Sequence, residues 1–450
     1  MLSKILIANR GEVALRIIRA CRELEIPCVA VYSEADAASL HTSEADEAVC
    51  IGPGPVTESY LNIPAVIAAA EIKGCDAIHP GYGLLAENAA FVQTCADSDL
   101  IFIGPGAAVM RRMGDKALAK QEMRKARIPV IPGSEGEVAS AGEAAALAGE
   151  VGYPVLLKAA KGGGGRGMRL VGGPGEMESQ FMLAHSEADN AFGDGALYLE
   201  KAVAGPHHVE VQVLADKAGS VLTLGERDCS VQRRHQKLIE ESPSPMLDPE
   251  TRQKMAAAAI AACRACGYEN AGTVEFLVDS GGSFYFMEMN TRVQVEHPVS
   301  EMTTGVDIVK EQIRIARGER LPHTGSILAR GHAIELRIIA EDPNDGFRPN
   351  TGQISRYMPP GGPGVRVDSH LYEGYEVPVF YDSLLAKLVV WDSSRPSAIR
   401  RALRALDEYI IEGVITNKEL CAAILRTPEF GKGEYTTAFL DENRDRLGIG

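Results

Sequence analysis

The chain has 450 residues, which at roughly 100–200 residues per domain is enough for about three domains with substantial cores. Its net charge of −15 argues against a protein that binds nucleic acid or anionic lipid over its whole surface, so phosphate chemistry must use local basic patches. Apolar runs stay well short of the roughly 18 residues that a membrane span needs. Nine scattered cysteines, and an N-terminus without a secretory signal pattern, predict a reducing, cytoplasmic location.

In the first part of the chain, short apolar runs alternate with amphipathic windows. The runs are typical of buried strands and the windows of helices, and their alternation indicates a doubly wound α/β unit. The predicted strands are 4–8, 28–32, 77–79 and 100–103, and the predicted helices are 13–24 and 63–73.

The pattern in the rest of the chain predicts a helical connection, a compact unit within about 130–204, a strand-rich segment and a mixed C-terminal part. The predicted helices are 105–127, 138–150, 174–189, 249–266, 305–317, 395–410 and 416–426. The predicted strands are 155–158, 168–171, 197–201, a hairpin at 272–290, and 332–339, 352–357 and 384–390.

A glycine loop at 162–167 lies between two of these strands. It satisfies G-x-G-x-x-G, but a dinucleotide-binding loop of that kind opens a helix, and here a strand follows. The sequence contains no G-x-x-x-x-G-K-[ST], which excludes a P-loop. Glycines can fold closely over phosphates while Lys158 and Arg166 supply charge. We therefore predict a phosphate-covering loop, with a flexible surface hairpin as the alternative.

The predicted hairpin carries two carboxylates and an amide. Glu275 on its first strand, and Glu288 and Asn290 on its second, meet on one face if the register aligns them. Such hard oxygen donors suit Mg²⁺ that is held jointly with substrate phosphates. The alternative is an ordinary hairpin with its acids in solvent. In both cases the predicted core residues are Phe276, Val278, Tyr285 and Met287.

Two charged runs lie beside these elements. In 290–298, Arg292, Gln294 and Glu296 occupy alternate positions, which in an extended segment places them on one side. A guanidinium can bind a small planar oxyanion such as bicarbonate through two hydrogen bonds, and a carboxylate can accept its proton. The run 226–237 is dense in donors for phosphate or bicarbonate oxygens. The alternative for such runs is a solvated charged strand.

The cysteines are not predicted to carry chemistry. Cys229 has no assigned base beside it, and we interpret it as a small packing residue. Cys263 and Cys266 lie in a helical window without the further ligands of a zinc site, and are predicted to pack.

Taken together, these motifs resemble the biotin carboxylase family of the ATP-grasp superfamily. The resemblance spans nearly the whole chain through 7–12 (IANRGE), 79–83 (HPGYG), the glycine loop, 227–237 (RDCSVQRRHQK), 288–298 (EMNTRVQVEHP) and 330–337 (RGHAIELR). It implies an ATP-grasp fold, α+β overall, with an N-terminal α/β domain at 1–114, an ATP-grasp domain at 115–330 whose lid is about 130–204, and a mixed C-terminal domain at 331–447.

The resemblance also implies roles for individual residues. The implied nucleotide-binding residues are Lys116, Lys158, Gly164, Gly165, Met168, Glu200, Lys201, Ala202, Val203, His208, Gln232, His235, Glu275, Leu277 and Glu288. The implied ligands of Mg²⁺ or Mn²⁺, usually two ions, are Glu275, Glu288 and Asn290. The implied bicarbonate contacts are Lys237, Arg292, Gln294, Val295 and Glu296, with Glu296 as base; Tyr82 and Arg337 face biotin. The implied catalytic residues are Lys237, Arg292, Glu296 and Arg337.

The implied activity is ATP-dependent carboxylation of carrier-bound biotin by bicarbonate through carboxyphosphate, as the first half-reaction of a multisubunit carboxylase. Acetyl-CoA carboxylase is the expected parent enzyme, with pyruvate or another acyl-CoA carboxylase as alternative. The sequence has no Ala-Met-Lys-Met biotin attachment motif, so biotin is expected on a separate carrier protein. Carboxyltransferase subunits and a second copy of the chain are the other expected partners; nucleic acid and membrane are not.

Two positions depart from the family pattern, and two other functions remain open. Lys161 stands where relatives commonly have a small residue, and Ile339 where they often have a polar or aromatic one. Another ATP-grasp ligase, of the amino-acid or carbamoyl-phosphate type, would share the glycine loop and the acidic hairpin. A catalytically silent nucleotide-binding protein is the third possibility, against which the intact charged runs argue.

Overall fold

A parallel five-stranded sheet forms the first part of the computed structural model, which describes residues 2–160 and 167–450. Its strands are Ile5–Ile7 (β1), Cys28–Tyr32 (β2), Glu47–Cys50 (β3), Ala77–His79 (β4) and Ile101–Phe102 (β5). Its helices are Gly11–Glu23 (α1), Leu40–Glu44 (α2), Ile63–Ile72 (α3), Ala89–Asp97 (α4) and Ala107–Gly114 (α5). The strand order is β3-β2-β1-β4-β5. Successive β1 residues enter different cores on the two faces, so the predicted doubly wound unit is confirmed.

The next unit is a three-stranded antiparallel sheet covered on one face by helices. Helix Lys116–Lys125 (α6) precedes this unit and packs through Ala119 and Met123 into another core, with Val209 and Phe286. The elements of the unit are Ala141–Val151 (α7), Val155–Ala159 (β6), Met168–Val171 (β7), Met177–Phe192 (α8) and Leu197–Lys201 (β8). Val155, Leu157 and Leu199 are fully buried on the helix side. Because side chains alternate along a strand, the opposite face is free to present Lys158 and Glu200 to the rest of the molecule.

The helix predicted over 105–127 is two helices. They are divided at Asp115, whose carboxylate accepts hydrogen bonds from the backbone N–H groups of Ala117 and Leu118, both at 3.0 Å. This N-cap starts α6 in a new direction.

A large sheet continues from the central part of the chain into the C-terminal part, across the predicted boundary at residue 330. The remaining strands are His207–Ala215 (β9), Val221–Arg233 (β10), Gln236–Ser242 (β11), Asn270–Val278 (β12), Phe284–Asn290 (β13), Gly325–Ser326 (β14), His332–Ile339 (β15), Glu341–Asp342 (β16), Arg348–Pro349 (β17), Gly352–Gln353 (β18), Arg356–Met358 (β19), Val365–Ser369 (β20), Glu376–Val377 (β21), Leu384–Asp392 (β22) and Ile410–Glu412 (β23). The sheet order is β13-β12-β9-β10-β11-β15-β22-β20, with β14 beside β10. Pairing of β11 with β15 places the strand of Lys237 next to the strand of Arg337.

The remaining helices pack on this sheet. They are Pro249–Cys266 (α9), His297–Thr304 (α10), Ile308–Ala316 (α11), Arg395–Glu408 (α12), Lys418–Leu425 (α13), Pro428–Lys432 (α14), Phe439–Glu442 (α15) and Arg444–Leu447 (α16). The strand predicted at 352–357 is instead two short strands, β18 and β19, which pair with β21 and β23. Within the ranges that the structure describes, no helix combines the length and apolar character needed to span a bilayer.

A β-bulge in the acidic hairpin corrects the predicted core. The register pairs Glu275 with Glu288 but Phe276 with Phe286, so Met287 is an extra residue on β13. Phe286 is therefore fully buried, whereas Tyr285 and Met287 are only partly buried, and their predicted core positions are wrong. Without the bulge, Glu288 would share the face of Phe286; with it, Glu288 lies on the face of Glu275.

The extended segment predicted for 290–298 ends at Asn290. β13 stops there, a turn follows, and α10 begins at His297 with Pro298 in its first turn. Proline is favoured at the start of a helix because its fixed φ suits it and its missing N–H has no intrahelical partner. Arg292, Gln294 and Glu296 are consequently placed by a loop rather than by strand alternation.

Candidate active site

A cavity of about 950 Å³ lies where the first sheet, the three-stranded unit and the large sheet meet. The predicted site residues that line it are Tyr82, Lys116, Lys158, Met168, Glu200, His208, Gln232, His235, Lys237, Glu275, Leu277, Glu288, Asn290, Arg292, Gln294, Val295, Glu296 and Arg337. Lys201, Ala202 and Val203 are not among the lining residues. The Lys201 ammonium donates to the backbone oxygens of Gly152 and Tyr153, both at 2.8 Å. Gly164 and Gly165 lie outside the described residues, and all these roles stay predictions.

The centre of the cavity is the ammonium of Lys237 on β11. Its Nζ lies 2.5 Å from Glu296, 2.6 Å from Glu210 and 3.3 Å from Glu275. Burial alone would lower the pKa of Lys237, but the anionic surroundings raise it well above its usual range. The amine is therefore charged at neutral pH and holds three buried carboxylates around one point.

Glu296 has cations on both of its carboxylate oxygens. Oε1 accepts from Lys237 at 2.5 Å, and Oε2 accepts from Arg337 Nη2 at 3.0 Å. Burial by itself would raise the pKa of Glu296, but Lys237 and Arg337 outweigh it and hold the pKa well below its usual range. The carboxylate is ionised at neutral pH, and it becomes a stronger base if an anionic ligand draws those cations away.

Glu275 lies beside this centre and faces Glu288 across the hairpin. Its Oε1 accepts from the amides of Asn290 and Gln294, each at 2.7 Å, and its Oε2 lies 2.9 Å from His208 Nε2. Glu275 and Glu288 offer the oxygen donors that a hard divalent cation prefers, so this pair fits such an ion. Asn290 presents its amide nitrogen to Glu275 and its amide oxygen to Arg292, so its role as a metal ligand stays a prediction.

Three lysines and one glutamate form the wall of the cavity beneath the three-stranded unit. Glu200 pairs with both Lys120 and Lys158, and Lys116 Nζ lies 3.3 Å from Glu288. Burial, followed by repulsion from Lys116, lowers the pKa of Lys158 to about 8. Burial, followed by repulsion from Lys158, lowers the pKa of Lys120 to about 7. A polyphosphate bound here would relieve this repulsion. Sequence reasoning missed Lys120, although its spacing of four from Lys116 on α6 places both on one helix face.

Arg292 is held by a residue that the motifs did not identify. Its Nε donates to Glu87 Oε2 at 2.9 Å, and its Nη2 donates to Asn290 Oδ1 at 3.1 Å. Glu87 also accepts from the backbone N–H of Thr291 at 3.0 Å. Glu87 lies 205 residues before Arg292, and no sequence pattern indicates this pairing.

The opposite end of the cavity contains Tyr82 and Arg337. The Tyr82 hydroxyl donates to Glu12, whose other oxygen lies 3.1 Å from Lys387 Nζ. Lys387 also donates to the backbone oxygen of Val295 at 3.0 Å. Arg337 Nε donates to Glu240 Oε1 at 2.6 Å, which orients the guanidinium along β15. Glu12 and Lys387 were not predicted, because they act through pairing between distant parts of the chain.

This geometry can combine two kinds of substrate chemistry. The lysine wall and the carboxylate pair suit a metal-bound polyphosphate, while Lys237, Arg292 and Gln294 present donors to a small oxyanion beside it. An ionised carboxylate stands next to that oxyanion, where it can accept a proton. Cys229 is fully buried, and burial raises the pKa of its thiol well above its usual range, which fits its predicted packing role.

Three protein-family models match this chain, and together they cover most of its length. The family models that match are the biotin carboxylase N-terminal domain over residues 1–110, the carbamoyl-phosphate synthase L chain ATP-binding domain over 115–324, and the biotin carboxylase C-terminal domain over 335–442. The chain is 56% identical over 440 residues to a biotin carboxylase from Nostoc sp., covering 98% of each chain. It is 54% identical over 445 residues to one of the subunits of pyruvate carboxylase from Methanothermobacter thermautotrophicus, covering 99% of this chain and 90% of the relative.

A solved structure is also similar to this chain over its whole length. The biotin carboxylase domain dimer of Hydrogenobacter thermophilus 2-oxoglutarate carboxylase, in complex with MgADP, ADP and bicarbonate, is 48% identical to this chain. The match covers 100% of this chain and 99% of that one, with a TM-score of 0.94.

Proposed function

This chain belongs to the biotin carboxylase family, and we propose on that premise that it carboxylates carrier-bound biotin with bicarbonate at the expense of ATP. The observation that carries the proposal is the contact of Lys237 with Glu210, Glu275 and Glu296 at the meeting point of the lysine wall and the donor-rich loop. It supports a site in which a terminal phosphate and a one-carbon anion lie side by side.

In the first step, Glu296 takes the proton of bicarbonate, and the resulting oxygen attacks the γ-phosphate of ATP to give carboxyphosphate and ADP. Arg292, Gln294 and Lys237 hold the bicarbonate oxygens, with the Val295 backbone fixed by Lys387. As Lys237 turns from Glu296 to the anion, the carboxylate loses the cation that kept its pKa low. Substrate binding would thereby make the base stronger at the moment when it is needed.

The nucleotide is held mainly by charge. Lys116 and Lys158 are proposed to contact the phosphates. Five further residues that line the cavity are proposed to surround the nucleotide: Met168, Leu277, His208, Gln232 and His235. Glu275 and Glu288 would hold Mg²⁺ or Mn²⁺, which when bound neutralises charge on the phosphate oxygens. The lid over about 130–204 is proposed to cover the nucleotide and to keep water from carboxyphosphate.

In the second step, carboxyphosphate breaks down to CO₂ and phosphate, and the phosphate takes the ureido proton of biotin. Arg337, which lines the cavity together with Tyr82, is proposed to stabilise the developing enolate oxygen. A positioned donor of this kind contributes about 3–4 kcal/mol to transition-state stabilisation in other enzymes. The CO₂ is then attacked by the biotin nitrogen, which leaves carboxybiotin and phosphate.

The parent enzyme is a separate proposal. We propose the first half-reaction of a multisubunit acetyl-CoA carboxylase, with pyruvate or another acyl-CoA carboxylase as the alternative, because the chain is similar both to separate biotin carboxylases and to parts of keto-acid carboxylases. A carrier protein, carboxyltransferase subunits and a second copy of this chain are the proposed partners, and the cytoplasm the proposed location. Co-purification from the native host, followed by assay with acetyl-CoA and with pyruvate, identifies the parent enzyme.

The test of the activity is ADP release by the full chain with MgATP, in the presence and absence of bicarbonate and free biotin. The wild type should require both, whereas ATP cleavage driven by an amino acid without biotin would favour another ATP-grasp ligase. E296Q should lose at least about a hundredfold in turnover, the scale of general-base catalysis, while its ATP affinity stays unchanged. E250Q, at an exposed ion pair on α9, is the matched control. Turnover by E296Q near that of wild type would contradict the assignment of the base.

A further inference from the structure

Arg227 on β10 is the largest fully buried side chain in the described part of the chain, and the proposed mechanism does not use it. It does not line the cavity. Each of its N–H groups nevertheless has an acceptor, and those acceptors come from β9, β12, the loop before α10 and α10 itself. The bonds are Nε to Glu210 at 2.5 Å, Nη1 to Gln212 at 2.7 Å and to Ser300 at 3.1 Å, and Nη2 to Thr273 at 3.1 Å and to Gln294 at 2.8 Å.

This arrangement is specific to a guanidinium. Arginine has five N–H donors in a planar fork and no acceptor, and here five acceptors match five donors. Lysine has three donors without the planar arrangement, so it can satisfy only part of the set. The acceptors left over would be buried without partners, since Glu210, Gln212 and Thr273 are fully buried.

One of these bonds decides which end of an amide faces the cavity. Gln294 Oε1 accepts from Arg227, and because arginine cannot accept, the amide nitrogen must point the other way. That nitrogen donates to Glu275 at 2.7 Å on the cavity side. An amide turned over would present its oxygen to an incoming anion and repel it.

We propose that Arg227 is a positioning residue, which fixes the Gln294 amide with its N–H₂ toward the bicarbonate pocket and so sets the affinity for that anion. The proposal rests on the proposed function, because it identifies the oxyanion as bicarbonate. A second contact works in the same direction: Arg227 holds Glu210 Oε1, while Glu210 Oε2 lies 2.6 Å from Lys237. The guanidinium thereby supports two of the groups that would contact the anion from a position behind them.

The test compares kinetic constants for bicarbonate and for ATP in R227K, measured as biotin- and bicarbonate-dependent ADP release by the full chain. The expected result is a KM for bicarbonate at least tenfold higher, with the KM for ATP within twofold of wild type. R395K is the matched control, because Arg395 is also a largely buried arginine, bonded to Glu241 at 2.6 and 2.8 Å, but does not line the cavity. It should change both KM values less than twofold even if it unfolds at a lower temperature.

A double-mutant cycle separates positioning from general support of the fold. If Arg227 acts mainly through Gln294, then R227K should raise the bicarbonate KM much less in the Q294A background than in the wild type, and the remaining effect measures the route through Glu210 and Lys237. Additive effects, or equal increases in the KM for bicarbonate and ATP, would overturn the proposal. Loss of bicarbonate dependence in the wild type itself would instead overturn the proposed function.

Single-bond variants keep the test valid if R227K does not fold. T273V removes one of the two acceptors of Arg227 Nη2, the other being Gln294. S300A removes one of the two acceptors of Nη1, which does not contact Gln294. T273V should raise the KM for bicarbonate several-fold more than S300A does. Equal effects of the two variants would overturn the proposal.

Discussion

Replacing Lys237 by Met removes the ammonium that Glu210, Glu275 and Glu296 share, while keeping a side chain of similar length. The Lys237 side chain is only 11% exposed, and the carboxylates are 5% exposed or less, so water reaches this group only from the cavity and replaces the ammonium incompletely. Breaking a buried ion pair by removing one partner typically costs about 3–5 kcal/mol. We expect K237M to lose about that much stability at pH 8.

The loss should depend on pH in a direction that the structure determines. In the wild type, burial opposes ionisation of Glu275 and Glu296, but Lys237 outweighs it and keeps both pKa values low. In the variant burial dominates and the folded-state pKa rises above the unfolded one, so folding takes up protons. Stability then falls as pH rises, by about 1.4 kcal/mol per pH unit for each proton taken up. One such proton enlarges the deficit by about 3 kcal/mol between pH 6 and pH 8.

Urea denaturation at pH 6 and pH 8, with EDTA and without nucleotide, measures the loss of stability in K237M and its dependence on pH. K254M is the matched control, because Lys254 and Glu250 form an exposed pair, 60% and 77% exposed, whose loss should leave stability nearly unchanged at either pH. A deficit in K237M below about 1 kcal/mol, or one of equal size at both pH values, would refute the account of Lys237 as the charge that holds the three acids together.

Two further predictions concern residues that pair with the proposed catalytic groups. E87Q weakens the hydrogen bond that holds Arg292, and a hydrogen bond is worth roughly 1 kcal/mol. The KM for bicarbonate should therefore rise about three- to tenfold, while the KM for ATP stays unchanged. Equal changes in both constants would count against this role of Glu87. Glu335 is fully buried, neither of its oxygens has a hydrogen-bond partner within the described ranges, and it is register-paired with Glu240. Burial raises the pKa of Glu335 well above its usual range, so the contribution of Glu335 to wild-type stability should fall as pH rises above about 4.3. E335Q should then melt above the wild type by a margin that is larger at pH 8 than at pH 5.5, and a constant margin would contradict a neutral Glu335.

Local sequence patterns predicted most of the fold because the elements follow the rules of burial. The predicted strands 28–32 and 77–79 and the helix 249–266 have the observed bounds, since each is a clear apolar run or an N-capped amphipathic window. The bulge at Met287 could not be predicted in this way. It adds a residue without any turn signal in the sequence, and it is required by pairing between the strands of the hairpin.

Motifs located the chemical groups of the site but not their partners. Lys237, Arg292 and Glu296 stand in runs of unusual composition, whereas Glu210 lies in a buried strand and Glu12 in the first turn of a helix. The partners are far apart in the chain: Glu12 and Lys387 are joined only when the first sheet packs against β22. Such pairs follow from tertiary structure, and a single sequence contains no signal for them.

The pairing has a consequence for how a protein of net charge −15 binds anionic substrates. The proposed substrate-binding cations already have acids as partners: Lys237 has three carboxylates, Arg292 has Glu87 and Lys116 has Glu288. Anions would therefore enter by exchange of partners, and a buried acid that loses its cation, such as Glu296 at 2% exposed, must gain a proton or a metal ion to avoid a buried unpaired charge. Glu296 can take the proton of bicarbonate, and Glu288 can take the divalent ion that accompanies the nucleotide. On this account carbonate in place of bicarbonate leaves Glu296 uncompensated, so the resting ion pair of Lys237 with Glu296 selects the form of that substrate that can react.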